Sequence, residues 1–195
     1  MLKKLIIFTL LNVILFASGG YDNGTATGKN KWSLDLTWNP FNKLKFGQSY
    51  AIIGYGITDR LDIHAYIANH PGNYYTAYSG LFYQFYKSEY LDLATAIGIR
   101  KRYNRSWTHL FLPQLLYSYH INNQLSIGGS FVNLIDYQTK KNYSTAIDIS
   151  ASFKLPYQSK NIESVSFTLG VFKPTNYSSI KSFLPTYSID IKFNL

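Results

Sequence analysis

The stretch from Gln48 to His70 alternates greasy and ionisable side chains about a short polar turn, and that limits what the chain can become. Ala51, Ile53, Tyr55 and Ile57 share one parity, as do Leu61, Ile63, Ala65 and Ile67 after the turn. Asp62, His64, Tyr66 and His70 occupy the opposite parity of the second arm. A period of two sends these sets to opposite faces of a strand. Thr58-Asp59-Arg60 suits a tight reversal, so the stretch reads as a β-hairpin. A face greasy along its whole length, backed by a face that wants water, fits a wall between lipid and an aqueous interior.

The same alternation recurs along the chain. Trp32 to Trp38 gives a first strand, ended by Asn39-Pro40, and the hairpin supplies the second and third. Further strands are predicted near 76–86, 91–102, 107–121, 125–131, 145–154, 165–171 and 187–195. Pro113 cannot donate to a ladder, so a bulge or a broken bond is expected there. Leu61-Asp62-Ile63, Leu91-Asp92-Leu93, Leu125-Ser126-Ile127 and Val165-Ser166-Phe167 each follow a turn, at spacings of 30, 34 and 40 residues. That hairpin-level repeat sets the register of the odd-numbered strands. The expected fold is all-β, a transmembrane antiparallel up-and-down barrel of ten strands, with eight or twelve as alternatives.

Tyr55-Gly56-Ile57-Thr58-Asp59-Arg60-Leu61-Asp62 resembles a hairpin frequent in Gram-negative outer-membrane β-barrel families, among them the phenol-degradation meta-pathway transporter group and small porin-like barrels. The resemblance implies an outer-membrane barrel with a transport role. The alternating apolar and aromatic tail, Tyr187, Ile189, Ile191, Phe193 and Leu195, is similar to the C-terminal signal read by the barrel-insertion machinery.

Composition agrees. Charged residues make up only 15% and aromatics 17%, with 18 tyrosines, a residue suited to membrane interfaces. The absence of cysteine excludes disulfides, zinc thiolate sites and lipid attachment at a cysteine. Lys3 and Lys4 precede an apolar run, Leu5 to Phe16, and then Ala17-Ser18-Gly19. This reads as a signal peptide over 1–19, cleaved between Ala17 and Gly20, with the barrel domain at 20–195 and 21–31 a loose periplasmic lead-in.

Charge orients the barrel. With the tight turns on the periplasmic side, Lys43, Lys45, Arg100, Lys101, Arg102, Arg105, Lys140, Lys141, Lys173 and Lys181 gather at the outer end. Of the ten acids only Asp136 joins them. Lys43, Lys45, Lys101, Arg105, Lys140, Lys141, Lys173 and Lys181 are candidates to meet lipopolysaccharide phosphates. The net charge of +9 gives no nucleic-acid reading in an exported chain without a binding module.

The lumen-lining candidates are Asp35, Asp62, His64, Asp92, Arg100, Arg102, Asp148, Lys154, Asp190 and Lys192. They fit either a narrow charge-lined path for a small solute or a sealed ion-pair network that stabilises the wall. His64, His70, His109 and His120 show no metal-ligand spacing, and no cofactor is expected. Outer-membrane protease barrels carry adjacent acid or acid–histidine pairs at the rim, and none is found here. The expected function is a passive channel or transporter for small molecules. The alternatives are a closed structural or surface-interaction barrel, and an outer-rim enzyme acting on lipid or peptide.

Overall fold

A computed structural model describes residues 23–41, 45–70, 74–103, 108–139, 142–173 and 183–194. Ten strands run β1 Lys31–Phe41, β2 Lys45–Gly56, β3 Leu61–His70, β4 Tyr74–Lys87, β5 Leu91–Arg102, β6 Thr108–His120, β7 Leu125–Asp136, β8 Asn142–Lys154, β9 Ile162–Lys173 and β10 Leu184–Asn194. Each pairs antiparallel with its sequence neighbours, and β1 pairs with β10 from Lys31↔Asn194 to Trp38↔Tyr187, closing the barrel. Ten strands is the expected number, and eight and twelve drop out. The targeting segment lies outside the described residues.

The parities follow the sequence. Burial along β3 alternates without a break, with Asp62, His64, Tyr66, Ala68 and His70 inward. Outward, every strand exposes a large apolar side chain, among them Leu36, Ile53, Ile67 (63% exposed), Leu81, Ile99, Leu115, Phe131, Ile149, Phe167 and Ile189. Aromatics flank this aliphatic belt. Trp32 packs on Tyr55 at 4.8 Å between centroids near one end, and Trp38 on Tyr187 at 5.8 Å towards the other. Strands of 10 to 14 residues are long enough to cross an acyl layer at a tilt.

The four turns following β2, β4, β6 and β8 share one end with both termini of the barrel wall; this is called the near end. Each is held by a side chain that accepts from the amide opening the next strand. Thr58 Oγ1 accepts from Leu61 N (2.9 Å), Ser88 Oγ from Leu91 N (2.9 Å), Asn122 Oδ1 from Leu125 N (2.9 Å) and Ser159 Oγ from Ile162 N (3.2 Å). Short polar side chains close such turns because they reach a backbone amide two or three residues on. The hairpin-level repeat starts at that capped amide on β3, β5 and β7, while on β9 it lies three residues further in.

Several boundaries differ from the sequence reading: β2 starts at Lys45, β7 runs on to Asp136, β8 starts at Asn142 and β9 spans Ile162–Lys173. β1 continues past Pro40 to Phe41, with a register shift between Asn39 and Phe41 that removes the proline from the ladder. β4 starts at Tyr74, and β10 starts at Leu184 and carries Pro185 opposite Val171. The predicted irregularity at Pro113 is present as a register shift between Phe111 and Gln114. The connections at 42–44, 71–73, 104–107, 140–141 and 174–182 lie outside the described residues.

Gly80 and Gly98 face each other across β4 and β5, and the Tyr78 ring lies over both. A Cβ on either would collide with that ring, so the glycines make the floor on which Tyr78 rests. Gly98→Val should force the ring off this floor and destabilise the barrel by about 1–3 kcal/mol. Denaturant titration in detergent micelles checks this; an unchanged midpoint would contradict it.

Candidate functional site

The inward face of the barrel has two unlike halves. On β2 to β6 aromatic and apolar clusters stand among buried polar groups such as Asp62, His64, His70, Gln84 and Asp92. Tyr66 stacks on Tyr78 (4.9 Å, 12°), Tyr50 meets Tyr66 edge-on (5.4 Å), and Ile52 and Ala68 complete the group. Nearer the near end, Phe82, Ala94, Ala96 and Leu116 pack together. On β7 to β10 and β1 the inward positions are mostly hydroxyls and acids: Ser130, Asp148, Ser150, Thr168, Ser188 and Asp35 among them.

The near end is not open across the first half. The segment preceding β1, expected as a loose lead-in, runs inside the wall instead. Gly24 N donates to Ser118 Oγ (2.9 Å), Thr25 Oγ1 to Asp92 Oδ2 (2.8 Å), Ala26 N to Gln84 Oε1 (3.0 Å) and Thr27 N to Asp62 Oδ2 (2.7 Å). Those acceptors stand on β6, β5, β4 and β3 in turn, so the segment crosses successive strands like a strap. Ala26 joins the Phe82–Leu116 cluster. Lys29 N then reaches Asp59 Oδ1 (3.3 Å), and Asn30 N donates to Gly56 O (2.8 Å) before β1 begins. Gly56 must lack a side chain, because a Cβ there would coincide with the Gly28 carbonyl. The strap is held by two wall bonds to neutral acceptors, worth about 1 kcal/mol net apiece, and two to carboxylates, worth about 1.5–3 kcal/mol apiece.

Beside the strap, the polar half encloses a cavity of about 350 Å³. Its acids are capped by hydroxyls. Asp35 and Asp190 face each other across the β1–β10 seam, and Ser188 Oγ lies 2.8 Å from one and 3.1 Å from the other. Thr37 donates to Asp35, and Thr168 donates to Asp190 (2.7 Å). Asp148 accepts from the amide (2.7 Å) and the hydroxyl of Ser130. Like charges set opposite each other repel, and these donors offset that cost. Two inward positions beyond Asp35 and Asp190, the Asn39 amide and Thr186 Oγ1 are fully buried and find no hydrogen-bond partner among the described residues. Each such group costs about 1–3 kcal/mol, so this part of the stripe is not arranged for stability alone.

The lumen-lining candidates all sit on the inward parity, but they do different work. Asp62 and Asp92 are committed to the strap. His64 Nε2 is 3.0 Å from the Tyr78 hydroxyl, and Arg100 is hydrogen-bonded to Tyr66. Arg102 stands opposite Thr76 towards the far end. Asp35, Asp190, Lys154 and Lys192 border the cavity, and Asp148 lies beside it. Lys192 is 3.8 Å from Glu163, which Lys31 holds at 2.6 Å, an ion triplet at the near end. Glu163, Gln84, Ser118 and the strap itself are the functional positions that the sequence reading missed. The run Gly24-Thr25-Ala26-Thr27-Gly28, small and uncharged ahead of a barrel strand, was the available signal.

Of the basic set, Lys101 is exposed on β5, and Lys173 closes β9 with its Nζ 5.9 Å from the Phe183 ring centroid. Lys45 opens β2, while Lys43, Arg105, Lys140, Lys141 and Lys181 lie outside the described residues. His70 Nε2 is 2.8 Å from Thr76 Oγ1, and His120 Nε2 is 3.1 Å from Asp92 Oδ2. Asp92 sits between His120 and Thr25, the reverse of a catalytic order with the imidazole in the middle. Among the described residues, no group of three or more potential ligands could hold a metal ion.

No family model and no curated protein matches the sequence. Among solved structures the chain is similar to a KdgM porin, at 8% identity and a TM-score of 0.49, over 85% of this chain and 99% of that one. A KdgM porin in complex with disordered oligogalacturonate aligns at 9% and 0.47, over 85% and 99%. The N-terminal β-barrel domain of Pseudomonas aeruginosa OprF aligns at 12% and 0.38, over 86% and 99%. Such likenesses carry no solute or partner across to this chain.

Removing the shared donor should tell the two facing acids apart from a neutral pair. Ser188→Ala should cost about 1–2 kcal/mol at neutral pH. Asp190→Asn added to it should recover part of that loss by removing the repulsion. Denaturant midpoints of both variants in micelles check this, and a double variant weaker than the single one would contradict it.

Proposed function

We propose that the chain is a porin-like barrel of a Gram-negative outer membrane that passes small polar solutes along the polar half of its lumen. The hydroxyl-lined cavity beside the strap carries this reading, because the rest of the near end is filled. The outward aliphatic belt and its flanking aromatics support insertion in lipid. In this reading residues 1–19 are the signal peptide, and the last strand is presented to the insertion machinery. The far-end lysines meet lipopolysaccharide phosphates. The Tyr55–Asp62 hairpin keeps a place for the phenol-degradation transporter group it resembles.

Purified barrel in planar bilayers should give discrete conductance steps, and proteoliposomes should admit small neutral solutes. A silent bilayer together with impermeable liposomes would favour the closed structural barrel. Cell fractionation should find the protein with the outer membrane, and N-terminal sequencing should begin between Ser18 and Gly20.

A further inference from the structure

We propose that residues 24–28 form a stopper carried in cis, which throttles the near end of the lumen and leaves it by turning about Gly28. The inference rests on the channel reading above and adds a moving part to it.

A segment needed only to stabilise a wall would be fixed by buried apolar side chains. This one is fixed chiefly by polar exchange, with backbone amides of Gly24, Ala26 and Thr27 received by Ser118, Gln84 and Asp62. Its single apolar contribution to the described core is Ala26. On withdrawal, water replaces the strap at each of those acceptors, so hydrogen bonds are exchanged instead of lost. The apolar cost of withdrawal is the Ala26 methyl together with the parts of Phe82, Ala94, Ala96 and Leu116 that it covers.

The hinge is also in place. Gly28 (φ 91°) and Asn30 (φ 60°) are the positive-φ residues among those described, and they flank the point where the segment leaves the lumen for β1. Glycine tolerates that conformation at little cost, and with Lys29 and Asn30 held to Asp59 and Gly56 the re-aiming falls at Gly28, at the expense of the Lys31 N to Gly28 O bond (3.1 Å). Thr25, Ala26 and Thr27 form part of the wall of the 350 Å³ cavity. Their departure joins that cavity to the space before Asp62 and Asp92, and the mouth then spans both halves of the barrel.

Deleting residues 24–28 from the full chain should raise single-channel conductance by about twofold or more, as the mouth widens. Because the chain has no cysteine, a Thr25→Cys/Asp92→Cys pair can be bridged selectively by a short bis-alkylating reagent. The bridged protein should stay at its lowest conductance, and the same variant left unbridged should reach larger steps. The bridged form keeps the strap in the folded barrel, so it informs even where the deletion fails to assemble. Equal conductance with and without the bridge, or in a folded deletion variant, would overturn the stopper while leaving the channel intact. No conductance and no liposome uptake in any form would overturn the channel reading and the stopper with it.

Discussion

Closure of the hydrogen-bonded ladder is the constraint from which the rest follows. Each of the ten strands has a neighbour on both sides, so no edge remains to slide. A slip of one residue in any strand would turn its greasy set inwards and its polar set outwards. The register that joins β1 to β10 therefore fixes the two faces of the whole wall. It also brings Asp35 opposite Asp190, a local electrostatic cost that Ser188, Thr37 and Thr168 lower by donating to them.

The near end shows how that register is used. The second residue of β3, β5 and β7 comes just inside a capped turn and points inwards. On β3 and β5 it is Asp62 or Asp92, and the strap docks on both. On β7 it is Ser126, which borders the open cavity together with Ser166 from further along β9. From β3 and β5 to β7, exchanging a carboxylate for a hydroxyl at this position takes the mouth from its filled side to its wet side. The aromatic stack on β2 to β4 continues the filled side towards the far end.

Much of the wall was legible in the sequence because side-chain parity is a local property. The outward sets Ala51–Ile57 and Leu61–Ile67, and the inward set Asp92–Arg102, need only a period of two. Strand ends were less legible: β1 passes through Pro40 because a bulge accommodates it, and propensity alone does not announce a bulge. The strap was missed for a deeper reason. Residues 24–29 have no periodicity, and only the acceptors on four distant strands organise them. The same omission left Asp62 and Asp92 as candidates for a charged path, although their carboxylates serve the strap. Identifying a residue as inward does not say what it meets there.

The central claim is that odd positions of a strand such as β3 touch acyl chains while even positions are shielded from them. Single cysteines placed from Leu61 to His70, labelled with nitroxide in liposomes, measure this through collision with oxygen and with a water-soluble nickel chelate. Oxygen accessibility should peak at positions 61, 63, 65 and 67 and fall at 62, 64, 66 and 68. Nickel exposure high along the whole strand, or an oxygen profile without the period of two, would contradict a lipid-facing belt.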